Sequence, residues 1–145
     1  MYRAICEGTA FANLTLDHVP TKSRPRFNGH VYISKATREA ENAVREAWRE
    51  QVGIEYGDWG GEVRVAIRIE RPLAKSNPKT WVGKPDMGKP DLDNTAKLIL
   101  DALNGIAYAD DKQVTSLSIR RMPRTEHRAG VRVHIRISYY GTELA

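Results

Sequence analysis

The sequence Lys-Pro-Asp-Leu-Asp-Asn-Thr-Ala-Lys occupies residues 89–97 and marks the start of a helix. Pro90 lacks a backbone donor and biases the residue before it towards extended geometry, so a helix is expected to begin just after it. Apolar residues then recur at helical spacing as far as Leu103. Asn104-Gly105 is typical of a helix C-terminus that ends with a residue in left-handed conformation. The segment therefore predicts one of the two main helices of the fold.

Acidic residues are concentrated at both ends of this helix. Asp91 and Asp93 flank its start, and the pair Asp110-Asp111 follows its end. Six of the eight aspartates lie between residues 86 and 111, although the chain has a net charge of +5. In extended backbone, residues two apart project to the same side, so Asp91 and Asp93 are expected to reach one ion. Oxygen ligands suit Mg²⁺ or Mn²⁺, and the pattern predicts a metal site shared by the helix start and the following turn.

Each acid also has an ordinary interpretation. Asp91 or Asp93 could be only a helix N-cap, and Asp110-Asp111 could belong to a turn before the next strand. Asp101, further along the helix, is interpreted as a solvated residue and left out of the metal site. Lys97 follows Asp93 by one helical turn, where its ammonium can neutralise carboxylates or contact a phosphate.

The remaining sequence predicts an α+β fold in a single domain, residues 1–145. A mixed or antiparallel sheet is expected to pack with two main helices. Period-two alternation indicates strands at residues 63–69 and 131–137, with weaker candidates at residues 114–119 and 2–6. The first helix is predicted over residues 35–52, with Ser34 as N-cap and Gly53 as stop. Between the strand that ends near Ile69 and the second helix, residues 71–90 are predicted to form a mobile functional loop.

Composition excludes several classes of protein. The hydrophobic fraction of 41% and the charged fraction of 28% are typical of a folded globular chain. No apolar run approaches the roughly 20 residues of a membrane span, and the N-terminal residues lack a long apolar signal core. The single cysteine, Cys6, excludes an internal disulfide and is predicted to be a buried strand residue. These features predict a cytoplasmic protein that does not associate with a membrane.

Positive charge gathers in two segments, which is the usual footprint of phosphate binding. The candidate contacts to the DNA backbone are Lys22, Arg24, Arg26, Arg121 and Arg124. Arg132, His134 and Arg136 share the strand face away from the core, where simple solvation is favoured over contact with DNA. A polyanion on this basic chain would meet the predicted metal, which outlines a metal-dependent nuclease.

Three segments resemble the RusA family of Holliday-junction resolvases, which occur in bacteria and in their phages and prophages. They are the motif at residues 89–97, Leu-Asp-Ala-Leu-Asn-Gly at 100–105 and Tyr-Ala-Asp-Asp-Lys-Gln-Val at 108–114. The basic segment at 22–27 is similar to the N-terminal loop of that family. The resemblance implies an α+β homodimer with Mg²⁺-dependent endonuclease activity on four-way DNA junctions, in DNA recombination or repair.

The resemblance also implies roles for individual residues. The three metal-site aspartates of the family correspond to Asp91, Asp93 and Asp111, and its motif lysine corresponds to Lys97. Asp110 immediately precedes the third acid, so both members of that pair stay candidates for the metal. Two other functions remain open: a non-catalytic basic DNA-binding module and a metal-dependent phosphohydrolase of nucleotides.

Overall fold

A mixed four-stranded sheet is the framework of the structure, a computed structural model that describes residues 1–22, 26–27 and 29–145. The strands are β1 (Tyr2–Leu16), β2 (Arg26–Phe27), β3 (Val31–Tyr32), β4 (Glu62–Glu70), β5 (Val114–Arg121) and β6 (Val131–Leu144). The helices are α1 (Lys35–Gln51) and α2 (Leu92–Leu103), with short 3₁₀ helices at Lys79–Trp81 and Asp111–Gln113. The main sheet has the order β1–β6–β4–β5, and β2 pairs with β3 in a separate ribbon.

The direction of the strands places the two ends of α2. Strand β6 is antiparallel to both β1 and β4, whereas β4 and β5 are parallel. Parallel neighbours need a crossover connection, and here that connection contains α2. Leu92, at the start of α2, lines the same cleft as Ile119, near the end of β5. The crossover therefore brings the start of the helix to the C-terminal end of β5.

One face of the sheet forms the core because alternate strand residues are apolar. On β4 the buried side chains are Val63, Val65, Ile67 and Ile69, and β6 repeats the pattern. Both helices cover this face with buried residues that include Trp48, Leu98 and Ile99. The α+β class, the mixed sheet and the two main helices are all confirmed. Among the described helices, none is long and apolar enough to cross a membrane.

The ends of both helices agree with the sequence signals. α1 begins after Ser34, whose Oγ accepts a hydrogen bond from the Thr37 backbone N–H at 3.2 Å. Gly53 has a φ of 100° just after the helix, and Gly105 has a φ of 79° after α2. Such left-handed backbone is available to glycine without a steric penalty, which explains the two stops.

The N-terminal strand is longer than predicted, and the predicted burial of Cys6 is wrong. β1 pairs with β6 from Tyr2 to Leu16, with a bulge between Cys6 and Gly8. Cys6 is exposed because it pairs with Tyr140, which points away from the core face to which the buried Tyr139 belongs. Tyr140 is also the last β6 residue that pairs with β4. Beyond that point only two strands continue. A two-stranded extension has no wide apolar face to bury, so its sequence carries little alternation.

Candidate functional site

The predicted start of α2 is confirmed, and it leaves one carboxylate free. Asp91 occupies the N-cap position with extended backbone, φ −65° and ψ 144°, but its side chain makes no capping hydrogen bond. Asp91 is exposed, and within the described part of the chain its carboxylate has no ion-pair partner. The partial positive charge of a helix N-terminus favours an anion at this position. The Asp91 carboxylate is therefore available to bind a cation.

Asp93 is available as well, but not for the reason predicted. The helix begins at Leu92, so Asp93 already lies in the first helical turn and the alternation of extended backbone does not apply. Asp93, Lys97 and Asp101 follow one another at four-residue intervals along one side of the helix, where Asp93 and Lys97 are exposed and Asp101 is half-buried. Lys97 is exposed and has no ion pair among the residues that the structure describes. Its ammonium is free to meet a phosphate.

Lys22 joins the N-terminal segment to both helices. Its ammonium contacts the Asp101 carboxylate and lies 3.5 Å from Glu41 Oε1. Its backbone N–H donates to the Asn94 carbonyl at 3.3 Å. The hydrogen bond to Asp101 raises the pKa of Lys22, and the charges of both carboxylates raise it further against the effect of burial. Lys22 is thus a positioning residue in this structure, and its contact with DNA stays a prediction.

The segment around Lys22 runs beside the acid motif. Thr21 lines one cleft together with Pro90, Asp91 and Asn94. Two predicted DNA contacts follow in sequence: Arg24 lies outside the described residues, and for Arg26 only the backbone, in β2, is described. The described chain therefore passes next to Asp91 at Thr21, just before the predicted basic segment begins in the sequence.

The two members of the acid pair Asp110-Asp111 have different roles. Asp110 caps the short helix that follows: its Oδ1 accepts from the Lys112 N–H at 2.9 Å, and its own N–H donates to Gln113 Oε1 at 2.7 Å. Gln113 in turn donates to the carbonyl oxygens of Trp59 and Gly61 at 2.5 and 2.7 Å. Asp110 thus has a structural function in the turn.

The charge state of the pair follows from the same contacts. The Lys112 N–H lowers the pKa of Asp110. Although Asp111 is exposed as a residue, partial desolvation of its carboxyl raises its pKa most, followed by its hydrogen bond to Asp110 and the charges of Asp110 and Asp101. Asp111 is therefore the member that takes up a proton first, and a cation at this position would relieve the repulsion.

Within one chain, the described residues form no metal site that includes all of these acids, so the ion shared by the helix start and the following turn stays a prediction. Asp91 lines the cleft at the C-terminal end of β5, whereas Asp111 precedes the N-terminal end. The eight-residue strand between them spans about 23 Å at 3.3 Å per residue. Within the described residues, no group of three or more His, Cys, Asp and Glu side chains could hold a metal ion. The helix and its following turn do not fold back on each other.

Asp86 anchors the loop before α2, a role that was not predicted from the sequence. Asp86 is buried and accepts hydrogen bonds from the Arg71 guanidinium, with Nε at 3.1 Å from Oδ1. Arg124 Nη1 lies 4.0 Å from the same oxygen. Arg71 follows β4 and Arg124 follows β5, so the acid ties the loop to the ends of both strands. The repeated Lys-Pro-Asp was the available signal for this anchor.

Arg121 and Arg124, predicted to contact DNA, make internal hydrogen bonds. Arg121 Nη1 donates to the Gly88 carbonyl at 2.6 Å. Arg124 donates through Nε to the Arg71 carbonyl at 3.0 Å and through Nη2 to the Pro72 carbonyl at 2.9 Å. These contacts give both arginines a structural role in the predicted mobile loop. Their contact with phosphates stays a prediction.

Comparisons with known proteins agree with the motif. A family model described as "Endodeoxyribonuclease RusA" matches residues 17–137, which is more than half of the chain. The chain is also 36% identical over 81 residues to the uncharacterized protein YqaN of Bacillus subtilis (strain 168). That match covers 50% of this chain and 57% of the Bacillus protein. The chain thus spans little more than half the length of this relative.

Proposed function

The chain belongs to the RusA endodeoxyribonuclease family, and from this membership we propose that it is a Mg²⁺-dependent endodeoxyribonuclease that resolves four-way DNA junctions. The observation that carries the proposal is the start of α2. There, Asp91 and Asp93 present two exposed carboxylates beside the segment that leads to the predicted basic residues. The proposal includes action as a homodimer on branched DNA in the cytoplasm.

The carboxylates fit Mg²⁺ by donor type, but three of them can meet only across two chains. Magnesium prefers oxygen ligands, and one or two protein carboxylates with water are a common set. Because Asp111 lies at the opposite end of β5 from Asp91, we infer that Asp91 and Asp93 of one protomer join Asp111 of its partner. A two-fold dimer would then carry two equivalent sites, as paired cuts across a junction require.

The residues of the chain supply positioning and charge. When bound, Mg²⁺ would lower the pKa of a water and polarise the scissile phosphate. Lys97 lies one turn after Asp93 and would place its ammonium against the phosphoryl oxygens, where negative charge grows. Arg24 and Arg26 would hold the DNA backbone, and such contacts position a duplex without reading its sequence.

A first experiment separates this proposal from its alternatives. The purified protein is incubated with synthetic four-way, forked and linear DNA, with and without Mg²⁺. We expect paired cuts in the four-way DNA only when Mg²⁺ is present. Salt-sensitive binding without any cutting would favour a non-catalytic DNA-binding module. Hydrolysis of mononucleotides without cutting of branched DNA would favour a nucleotide phosphohydrolase.

A second experiment tests whether the site is shared between chains. Asp91→Asn and Asp111→Asn protomers are each inactive if both acids are needed. In a mixed dimer, one site would carry both defects and the other would be intact. Refolding the two variants together should therefore restore nicking to about a quarter of the wild-type number of sites, since half of the dimers are mixed.

The control for this mixture is Glu50→Gln, which removes one negative charge from the exposed surface of α1 and should leave cutting unchanged. Formation of mixed dimers is verified by capture through a tag on one variant. If mixed dimers form and nicking does not return, the acids of the site come from a single chain and the shared site is refuted.

A further inference from the structure

Among the described helices and strands, none packs on the face of the main sheet opposite α1 and α2, and this face is rich in arginine. Alternation along the strands places five arginines on this face: Arg64 and Arg68 on β4, Arg120 on β5, and Arg132 and Arg136 on β6. The carboxylates of the same strand face are Glu62 and Glu70. Positive charge is therefore in excess on a surface that the fold leaves open.

Both carboxylates already have partners. Glu62 is 3.0 Å from Arg64 Nε and also contacts the Thr115 hydroxyl. Glu70 lies 2.7 Å from His134 Nε2 and 3.6 Å from Arg128 Nη2. The remaining positive charges on this face are thus not neutralised by these two acids.

Three arginines near the centre of the face have no ion pair within the described part of the chain: Arg68, Arg120 and Arg136. Arg68 and Arg120 are direct partners in the β4–β5 register, and Arg136 is the β6 partner of Ala66, two residues before Arg68. Like charges directly opposite each other on a sheet are destabilising. An anion bound over the face would remove this repulsion.

The shape of the face also suits a nucleic acid. Phe11, with 60% of its surface exposed, lies opposite Arg136 and lines the same depression as the three unpaired arginines. One depression therefore gathers three guanidinium groups, which suits the phosphate backbone of DNA. The sheet is about 15 Å wide from β5 to β1 at 4.8 Å per strand. Duplex DNA carries one phosphate charge per about 1.7 Å of axis, so several phosphates would cover this width.

The open face is continuous with the acid motif. Arg120 lines the depression on the open face and also lines the cleft that contains Asp91. A path of positive charge therefore leads from the candidate site, over the edge strand β5, onto the face. A second copy of this chain is a poor occupant, because two-fold symmetry would place these arginines against one another.

We propose that the centre of this face is a second DNA-binding surface, which holds a duplex arm extending from the site at Asp91. We call this surface the arginine face, and it consists of Phe11, Arg68, Arg120 and Arg136. The inference rests on the proposed function for the position of the scissile phosphate. It assigns to strand residues a role beyond that of the basic N-terminal segment. The arms of a four-way junction leave its centre in several directions. A nuclease that contacted only the centre would make no contacts with these arms.

The test is the binding of a labelled four-way junction at several salt concentrations, in EDTA so that no cutting occurs. The variant Arg68→Gln/Arg136→Gln removes two charges from the face, and neither residue belongs to the proposed catalytic site. The matched control is Arg38→Gln/Arg49→Gln, which removes two charges from exposed positions on α1. We expect the Kd of the face variant to rise about tenfold and the slope of log Kd against log salt to fall by about 2.

The outcomes separate this proposal from the proposed function. If the wild-type protein fails to cut any DNA with Mg²⁺, the nuclease proposal fails, and the binding measurement in EDTA still tests the face. If the face variant and the control have the same slope, the arginine face is not a DNA-binding surface. Loss of binding to polyglutamate, with DNA binding retained, would assign the face to an acidic protein. Dissociation of the variant into monomers would make it a subunit interface, and either result overturns the proposal.

Discussion

The tripeptide Lys-Pro-Asp occurs twice, at residues 84–86 and 89–91, and its two aspartates have opposite environments. The Asp86 side chain is fully buried against the guanidinium of Arg71. Asp91, five residues later, is exposed and makes no capping hydrogen bond. The same local sequence therefore yields a structural anchor at one position and a free carboxylate at the other.

The difference lies in what surrounds each tripeptide. The first crosses the ends of β4 and β5, where Arg71 and Arg124 converge on its acid. The second ends at α2, whose partial positive charge favours a carboxylate without neutralising it fully. A buried ion pair consumes the charge of its acid, whereas a helix N-terminus leaves that charge able to bind a cation. The comparison predicts that stability depends on Asp86 and cleavage on Asp91.

The largest effect is expected on the stability of an Asp86→Asn variant. Removing one partner of a buried ion pair leaves the other charge uncompensated and costs about 3–5 kcal/mol of unfolding free energy. Asp91→Asn, at an exposed position without a side-chain hydrogen bond, should change this free energy by no more than about 0.5 kcal/mol. Urea unfolding followed by circular dichroism measures both. Equal losses in the two variants would remove the distinction between anchor and free acid.

The second prediction concerns the rate of cutting, which Asp91→Asn should lower much more than Asp86→Asn. Asp91→Asn should lower the rate of junction cutting by about 10²–10³-fold, comparable to the loss of one group that stabilises a transition state. Junction binding in EDTA should persist, because the substitution removes negative charge near the DNA. Asp86→Asn, assayed at a temperature where it remains folded, should cut at nearly the wild-type rate per folded molecule. Undiminished cutting by Asp91→Asn would exclude it from the site.

Local signals were sufficient to predict the elements that carry these acids. The bounds of α2 follow from the proline before it, the helical spacing of its apolar residues and Gly105 after it. The alternation on β4 and β6 identifies one face of the sheet as the core because each residue points to one side or the other. In each case the sequence pattern that identifies the element lies within the element itself and the few residues beside it.

The placement of the acids relative to one another could not be predicted in the same way. The distance between Asp91 and Asp111 depends on α2 running back along β5, which is a property of the parallel crossover rather than of either segment. The burial of Asp86 likewise depends on Arg71 and Arg124, which other strands bring to it. Asp101 was interpreted as solvated, yet Lys22 reaches it from the N-terminal segment. Non-local pairing decides each of these environments.

The third prediction sharpens the role of the arginines around the first tripeptide. Arg124→Gln would leave the carbonyl oxygens of Arg71 and Pro72 without their donors, at a cost of about 1–3 kcal/mol of unfolding free energy. If Arg124 also contacts a phosphate, the salt slope of junction binding should fall by about 1. Lost stability with an unchanged slope would assign Arg124 to the anchor alone. The Arg38→Gln/Arg49→Gln variant serves as the reference for charge loss without lost internal contacts.

The smallest effect concerns Asp101, which is intermediate between the buried and the free acid. Its pairing with Lys22 is partly exposed and should contribute about 0.5–1 kcal/mol, which Asp101→Asn would remove. The pKa of Lys22 is raised above its ordinary value of 10.5 in the folded protein, chiefly by the hydrogen bond to Asp101. A raised lysine pKa contributes stability that is fully present below the unfolded pKa and is lost as the pH rises through the folded one. The difference in unfolding free energy between wild type and Asp101→Asn should therefore be constant from pH 7 to about pH 9 and shrink above pH 10.5. Urea unfolding across this range measures it, and a difference that persists unchanged above the raised pKa would show that Asp101 stabilises the fold without its charge pairing to Lys22.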